Sequence, residues 1–180
     1  MMILKIETLI QYSNNLCEKC ILARNFLKPQ STIMERIIKT DLDIKNAINN
    51  TSGNGIKNNI KYEIKISIFA KKSKFNFVQI RPDHDIDFYI LICYDLYKNK
   101  LGQAYILKIP EKVIFNFIVQ YGSYAHGTYK KLGKITMNNL KGRNCEYALR
   151  TYSNSNKNTK NYIFWSELLK YEVSYDKNNF

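Results

Sequence analysis

The feature that most constrains the fold is a run of almost uninterrupted apolar residues, DFYILICYDLY, at positions 87–97. A strand with one wet face alternates apolar and polar side chains, whereas a strand covered on both faces is apolar throughout. We therefore predict a strand over residues 87–96 that is buried on both faces. Such a strand requires a layered fold, because other elements must cover the sheet from each side.

Three further segments predict neighbouring strands. They lie at residues 60–69, 75–81 and 102–109. At the centre of the first segment, residues 61–67 alternate between apolar and polar side chains, which point to opposite faces of a strand. The connection after this segment reads KKSK at positions 71–74 and predicts the basic tip of a hairpin.

Apolar residues at spacings of three and four predict helices before the strands. Two helices are expected at residues 2–12 and 15–27. Ser31 or Thr32 can cap a third helix, and Thr32-x-x-Glu35 matches the pattern of a capping box.

The rest of the chain completes an α/β pattern. Residues 49–59 are rich in Asn, Gly and Ser and predict a turn-rich link. Pro110 is expected at the first position of a helix over residues 111–121, and a short helix around Trp165 is expected to pack on the core. We predict an α/β (α+β) fold in which helices flank a mixed central sheet, within a single domain of 180 residues.

The net charge of +13 indicates a polyanionic partner. A basic protein of this size usually binds nucleic acid, and an anionic membrane surface is the second possibility. The abundance of Asn, Lys and Ile suggests AT-rich coding DNA, which raises the Lys content without a functional cause. The sequence has no signal peptide and no apolar run of about 18 residues, so we expect a cytoplasmic protein.

The cysteines and histidines do not form a metal-binding pattern. Cys17-x-x-Cys20 has no second pair at the spacing of a zinc finger, and Cys93 lies within the apolar run. The two histidines are isolated in the sequence. We expect reduced thiols and no zinc site.

Glu63 and Lys65 stand on the polar face of the strand predicted at residues 60–69. Residues two apart on a strand share a face and lie roughly 6.5–7 Å apart, so both side chains can reach one phosphate. The carboxylate can hold a divalent cation, and the ammonium can stabilise negative charge or position a water molecule. The same pattern is also common on the wet face of amphipathic strands, and this alternative stays open.

A glycine-rich basic segment follows at residues 122–150, GSYAHGTYKKLGKITMNNLKGRNCEYALR. Cationic side chains with interleaved tyrosines on an adaptable loop suit a phosphate backbone and base edges. A solvated surface loop with tyrosines beneath it is the alternative. The basic residues are Lys130, Lys131, Lys134, Lys141, Arg143 and Arg150.

Several motifs follow one another in order: QSTIMERII at 30–38, KYEIKIS at 61–67, FNFVQIRPDHDIDFYILICYDL at 75–96, GSYAHGTYKKLGKIT at 122–136 and EYALR at 146–150. Together they resemble the PD-(D/E)xK nuclease superfamily, and within it a group of small bacterial type II restriction endonucleases. The superfamily has a mixed sheet flanked by helices. The resemblance implies four parts: a helical N-terminal part at 1–30, a catalytic core at 31–121, a DNA-contacting segment at 122–150, and a tail with a helix at 151–180.

The resemblance implies a Mg²⁺ cofactor held by Glu63, by the backbone carbonyl of Ile64 and by a preceding aspartate. The position that matches this aspartate is Asn54, within Ser-Gly-Asn-Gly. An amide oxygen brings no negative charge to the hard cation. Three explanations are open: an inactivating substitution made to trap a complex, which we favour, a natural relative that only binds, or an acid supplied by Asp41 or Asp43.

The resemblance also implies roles for the residues around this pair. Lys65 contacts the scissile phosphate and orients or deprotonates the attacking water. Gln79 orients the nucleophile or a phosphate, and Glu35 either reaches the metal through water or only caps its helix. The implied catalytic residues are Glu63, Lys65, Asn54, Gln79 and Glu35. The implied DNA contacts are Arg81, His84, His126, Lys130, Lys131, Lys134, Arg143 and Arg150.

These roles imply Mg²⁺-dependent hydrolysis of phosphodiester bonds at a specific sequence of double-stranded DNA. Cleavage of both strands of a palindrome needs two copies of the site, so the resemblance implies a homodimer. The alternative is a non-catalytic, sequence-selective DNA-binding protein on the same fold. A third class is an RNA-binding basic protein.

Overall fold

A computed structural model of the protein describes residues 8–13, 15–26, 30–49, 51–69, 74–96, 102–126, 128, 133–142, 145–153, 156 and 159–180. Of the hairpin tip predicted at residues 71–74, only Lys74 is among the described residues, and the predicted DNA contacts Lys130, Lys131 and Arg143 lie outside them. Within the described ranges, every helix is too short or too polar to span a lipid bilayer.

The order of helices and strands follows the prediction closely. The helices are α1 (Leu16–Phe26), α2 (Gln30–Asp41), α3 (Glu111–Tyr121) and α4 (Lys160–Leu169), and residues 8–12 are also helical. The strands are β1 (Gly55–Lys57), β2 (Ile60–Phe69), β3 (Lys74–Ile80), β4 (Phe88–Asp95), β5 (Gln103–Pro110), β6 (Ser123–Tyr124) and β7 (Tyr147–Tyr152). The four predicted strands are β2 to β5, each within one residue of its predicted ends.

The described strands pair into two sheets. The central sheet has the order β1-β2-β4-β5, in which β2 and β4 run parallel and the other pairs are antiparallel. The second sheet has the order β3-β7-β6 and is antiparallel. The predicted α/β (α+β) class with a mixed central sheet is confirmed. β3, however, pairs in the second sheet and not in the central one.

β4 is covered on both faces, as its apolar run predicts. Tyr89, Leu91 and Cys93 belong to a core shared with the second sheet, α3 and α4. Ile90 and Ile92 belong to a core shared with α1 and α2. Each face of the central sheet therefore has its own hydrophobic core, and the sheet is the middle layer of the fold.

β2 has the predicted apolar and polar faces. Tyr62 and Ile64 are almost completely buried in the core that contains α1 and α2. The polar residues that alternate with them along β2 point to the opposite side, toward the second sheet. There, the backbone N–H of Asn76 on β3 donates to Ser67 Oγ at 2.9 Å, which brings β3 next to the polar face of β2.

The sequence pattern does not predict β1, and the segment 49–59 is more than a link. Asn58 and Asn59 have φ angles of 51° and 65° and form the two-residue turn that joins β1 to β2. Asparagine tolerates this left-handed region better than most residues do, so an Asn-Asn pair can form a tight hairpin turn. At three residues, β1 is too short to produce a recognisable pattern.

Two helix starts differ from the prediction. α2 begins at Gln30, so Thr32 lies inside the helix and the predicted capping box is wrong. Glu35 instead pairs with Lys39 one turn later, with 3.1 Å between Oε1 and Nζ. Pro110 ends β5 and caps α3, so it is not the first residue of that helix.

The segment 122–150 is not a single adaptable loop. Its last part forms β7, the middle strand of the second sheet, in which Tyr147 is fully buried. The apolar run Tyr-Ala-Leu in this strand is short and stands among glycines and basic residues, which hides it in the sequence. Trp165 and Leu168 of α4 pack in the same core, as predicted for the last helix.

The four cysteines are free thiols and contribute to packing. Cys20 and Cys93 are fully buried, and burial raises the pKa of both thiols. Cys17 is less buried, and its sulfur accepts the backbone N–H of Ala104 at 3.2 Å. A raised pKa disfavours the reactive thiolate, so Cys20 and Cys93 behave as small apolar residues.

Candidate active site at the polar face of a central strand

Glu63 and Lys65 form an ion pair on the polar face of β2. Lys65 Nζ lies 2.7 Å from Glu63 Oε1, and the side chains of Lys65 and Glu63 are 19% and 17% exposed. Because side chains two residues apart on a strand share a face, the alternation in the sequence predicts this arrangement. The pair lies where the polar face of β2 meets the second sheet.

A groove passes this ion pair between β2 and β3. One part of it is lined by Glu63, Lys65, Gln79, Arg81, His84, Ile86 and Tyr89. The other part, about 260 Å³ in volume, is lined by Ser31, Thr32, Glu35, Ile64, Lys65, Ile66, Asn76, Phe77, Val78 and Gln79. We call the two parts together the polar groove. Lys65 and Gln79 border both parts and therefore stand at their junction.

Gln79 reaches the polar groove because β3 contains an irregularity of the bulge type. The pairing of β3 with β7 shifts register between Phe77 and Ile80, and Val78 and Gln79 are both exposed. Gln79 has a φ of 56°, in the left-handed region that non-glycine residues rarely adopt. A bulge re-aims the side chains of its strand, and here Gln79 and Arg81 border the same groove.

Arg81 is held in place by Glu146, which immediately precedes β7. Arg81 Nε donates to Glu146 Oε1 at 2.9 Å, and Nη2 donates to the same oxygen. Glu146 is buried, and its backbone N–H and carbonyl both bond the hydroxyl of Thr128. Glu146 begins the motif EYALR and is the one acid among residues 122–150, but the resemblance implies no role for it.

Tyr89 is a buried part of the groove lining that the sequence does not predict. Burial, and then the Glu63 carboxylate, raise the pKa of its phenol well above the usual value. The phenol therefore stays protonated at neutral pH. One tyrosine within a buried apolar strand is typical of core packing, so its sequence carries no functional signal.

Asn54 lies beside Ile64 at the edge of β2. Its backbone N–H donates to the Tyr62 carbonyl at 3.0 Å. Its side chain makes two more bonds: Oδ1 accepts the N–H of Ile64 at 2.9 Å, and Nδ2 donates to the Ile64 carbonyl oxygen at 3.1 Å. Position 54 is thus close to the strand that carries Glu63 and Lys65.

The groups around Ile64 do not fit a resident Mg²⁺ ion. Mg²⁺ prefers several hard oxygen ligands in near-octahedral geometry. Here the Ile64 carbonyl accepts a hydrogen bond from Asn54, and the Glu63 carboxylate is bound by Lys65. Among the residues that the structure describes, no three His, Cys, Asp or Glu side chains group together to hold a metal ion.

The two acids considered as replacements for the missing aspartate are engaged elsewhere. Asp41 pairs with Lys19 at 3.0 Å and accepts hydrogen bonds from Gln11 and Tyr175. Asp43 lines a separate cavity beside the turn between β1 and β2. Asn54 also lies outside the groove lining, but it bonds Ile64 of β2, and among the described contacts neither acid does, so the geometry does not favour Asp41 or Asp43 as partners of Glu63.

Glu35 does border the polar groove, and Lys39 links it to position 54. Lys39 Nζ pairs with Glu35 and also lies 3.1 Å from the backbone oxygen of Asn54. The same nitrogen donates to Asn46 Oδ1 at 2.8 Å. A positive charge therefore already stands beside Asn54.

The predicted DNA contacts occupy different places. Arg81 and His84 line the polar groove. Arg150 is exposed on β7 and donates to Oδ1 of Asn76, which is itself a groove residue. His126 and Lys134 are the other two predicted contacts that the structure describes. Both are exposed, and neither lines the groove.

Comparison of the chain with protein-family models, with curated proteins and with solved structures finds no match. The functional conclusion therefore depends on the chemistry of the polar groove. Its described lining combines an ion pair, a carboxamide and a guanidinium on a strongly basic chain.

Proposed function

We propose that this protein is a site-specific endodeoxyribonuclease of the PD-(D/E)xK type, similar to type II restriction endonucleases, in which Asn54 impairs the hydrolytic step. The observation that carries the proposal is the Glu63–Lys65 ion pair at the centre of the polar groove. Charged groups that meet in a concave, partly buried site are typical of functional sites. The ordered motifs of residues 30–150 support the same conclusion.

The charge of the chain supports DNA as the substrate. A net charge of +13 attracts polyanions over long distances. Within the groove, Lys65 and Arg81 provide cationic donors for phosphate oxygens. The Gln79 carboxamide can donate to a phosphate oxygen and accept from water. When a phosphate enters, Lys65 contacts it and orients the attacking water, which are the roles that the resemblance implies for this lysine.

Asn54 is the reason that we expect this chain to bind DNA much better than it cuts DNA. Hydrolysis of a phosphodiester builds negative charge in the transition state, which nearby positive charge must stabilise. The Asn54 side chain cannot help to hold a cation there, because both of its polar atoms bond the backbone of Ile64. We therefore expect slow or undetectable cleavage by the chain that carries Asn54.

A second candidate function is sequence-selective DNA binding without cleavage. The bonds between Asn54 and Ile64 favour it, because they satisfy the edge of β2 without a metal ion. The two candidates share the groove and the basic charge. They differ in the expected behaviour of the Asn54→Asp variant.

Incubation of a plasmid library with the Asn54→Asp variant and Mg²⁺ separates the two candidates. The nuclease proposal predicts discrete DNA fragments, which disappear when Lys65→Ala is added to the same variant. A folded Asn54→Asp protein that binds duplex DNA and cuts none contradicts the nuclease proposal and supports the binding function. If the chain that carries Asn54 prefers structured RNA to duplex DNA in competition, both candidates are contradicted.

We also propose that two chains act together on DNA. A palindromic site presents each strand in the same way, so a symmetric dimer offers one groove to each strand. Light scattering of the protein bound to a short duplex that contains its site should give two 21.2 kDa chains per duplex. A complex with one chain per duplex would contradict the dimer.

A further inference from the structure

The larger part of the polar groove, about 260 Å³ in volume, forms a side pocket between the start of α2, β2 and β3. Lys65 joins this side pocket to the part of the groove that contains Glu63. Four uncharged side chains in its lining can each donate and accept hydrogen bonds. They are Ser31, Thr32, Asn76 and Gln79. The side pocket therefore suits a neutral polar group that lies next to a cation.

Much of the hydrogen-bonding capacity of the side pocket is free to bind a ligand. Within the part of the chain that the structure describes, the side chains of Ser31, Thr32 and Gln79 bond no other residue. Asn76 Oδ1 accepts a hydrogen bond from Arg150 Nε at 3.0 Å. This bond occupies the acceptor of the carboxamide and leaves its Nδ2 group as a donor.

The side pocket also offers apolar surface. Val78 lies in the bulge of β3, lines the pocket and is 38% exposed. Phe77 and Ile64 line it as well and are almost completely buried. Proteins hold an unpaired nucleobase by packing apolar side chains against its face and bonding its polar edge. Both kinds of group are present here.

Size and position favour one nucleobase over other ligands. The volume of about 260 Å³ is below the roughly 300–1,000 Å³ of pockets for larger ligands, so a single planar base fits better than a base pair. The Glu35 carboxylate in the lining disfavours a phosphate inside the pocket. A phosphate bound by Lys65 would lie at the mouth of the pocket, one sugar away from its own base.

We propose that the side pocket receives one nucleobase that is extruded from duplex DNA, next to the phosphate that Lys65 contacts. Asn76 and Gln79 bond the polar edge of this base, and Val78 packs against its face. The inference rests on the proposed function, because a DNA phosphate at Lys65 brings the base to the pocket. It adds that the protein distorts its DNA and reads one base outside the duplex.

Mismatched DNA tests the proposal without knowledge of the recognition sequence, because a mismatched base is extruded at the lowest cost. Three otherwise identical duplexes are compared by fluorescence anisotropy: one fully paired, one with a single mismatch, and one with abasic residues at that position on both strands. The mismatched duplex should bind about tenfold more tightly than the paired one. The doubly abasic duplex is flexible but offers no base, so it should bind no more tightly than the paired one.

Thr32→Trp and Thr40→Trp form a matched pair of variants on α2. Thr32 is exposed and lines the side pocket, so the indole fills the pocket without entering the core. Thr40 is exposed on the same helix and lies outside the groove lining. Thr32→Trp should abolish the preference for the mismatch, whereas Thr40→Trp should keep it. Equal Tm values of the two variants check that both are folded.

Asn76→Asp tests the reading of the base edge without a change of size. The variant exchanges the Nδ2 donor for an acceptor and keeps the oxygen that Arg150 bonds. A carboxylate accepts a hydrogen bond from the amino group of cytosine and repels O4 of thymine. The affinity for a duplex with a C·C mismatch, relative to one with a T·T mismatch, should therefore rise about tenfold. The added negative charge weakens the binding of both duplexes and leaves this ratio unaffected.

Three outcomes overturn the proposal: equal affinity for paired and mismatched duplexes, equal affinity for mismatched and doubly abasic duplexes, or an equal loss of preference in Thr32→Trp and Thr40→Trp. A protein that prefers the mismatch, although its Asn54→Asp variant cuts no DNA, supports the pocket and contradicts the nuclease proposal. An Asn54→Asp variant that cuts DNA but binds paired and mismatched duplexes equally does the reverse. The two failures are therefore distinguishable.

Discussion

At the scale of single residues, Gln79 combines backbone strain with a place at the junction of the polar groove. A φ of 56° costs a non-glycine residue about 1 kcal/mol. The side chain is exposed, so burial of apolar surface does not compensate for this strain. Strained residues of this kind cluster at functional sites, where the surrounding structure holds a side chain in a required position. We therefore expect Gln79 to matter more for ligand binding than for stability.

Gln79→Gly tests this expectation because glycine adopts the same φ without strain. The free energy of unfolding in urea should stay the same or rise by up to about 1 kcal/mol. Affinity for duplex DNA, measured by fluorescence anisotropy, should fall about fivefold, because the variant lacks a donor and an acceptor at the groove.

Asn59→Gly is the control for Gln79→Gly, since it relieves a φ of 65° in the turn between β1 and β2. It should stabilise the protein without changing DNA affinity. If Gln79→Gly binds DNA as well as the unsubstituted chain does, the strain at Gln79 has no role in binding.

At the scale of elements, the sequence predicts those helices and strands whose own residues determine the conformation. β2 alternates and β4 is apolar throughout, so each strand is predicted almost to its ends. β7 escapes prediction because its stability comes from pairing with β3 and β6 rather than from its own short apolar run. The bulge in β3 escapes because its register is set by the facing strand.

Gly53 fixes the approach of Asn54 to β2, so Gly53→Ala should damage the hairpin of β1 and β2. Gly53 has a φ of 72°, and a Cβ atom there would lie 2.3 Å from the Tyr62 carbonyl oxygen. The backbone must shift to avoid this contact, which displaces the residue that bonds Ile64. We expect a loss of about 3 kcal/mol in the free energy of unfolding, measured in urea.

Gly133→Ala separates the steric contact from the cost of the backbone angle. Gly133 has a similar φ of 74°, but a Cβ atom there meets nothing within 4 Å. This control should lose only about 1 kcal/mol, which is the cost of the left-handed conformation. Equal losses in both variants would mean that the Tyr62 carbonyl does not restrict position 53.

At the scale of the whole molecule, the polar groove is a product of two sheets facing each other. The pattern of one strand is enough to predict that Glu63 and Lys65 share a face, because strand geometry is local. The position of Glu146 against Arg81 depends instead on how β7 pairs with β3, and no local pattern encodes it. Likewise, the resemblance implies an acid where Asn54 stands, whereas the bonds between Asn54 and Ile64 depend on the folded chain.

The salt dependence of DNA binding tests whether the groove, rather than the overall charge, holds the phosphate backbone. Removal of one cation that neutralises a phosphate should reduce the slope of log K against log salt by about 0.9. Lys65→Ala should show this reduction, whereas Glu63→Gln should bind more tightly, because Lys65 no longer shares its charge with a carboxylate. Lys170→Ala removes the same charge from an exposed position after α4 and serves as the control. If Lys65→Ala and Lys170→Ala change the slope equally, DNA responds only to the general field of the protein, and the groove is not its binding site.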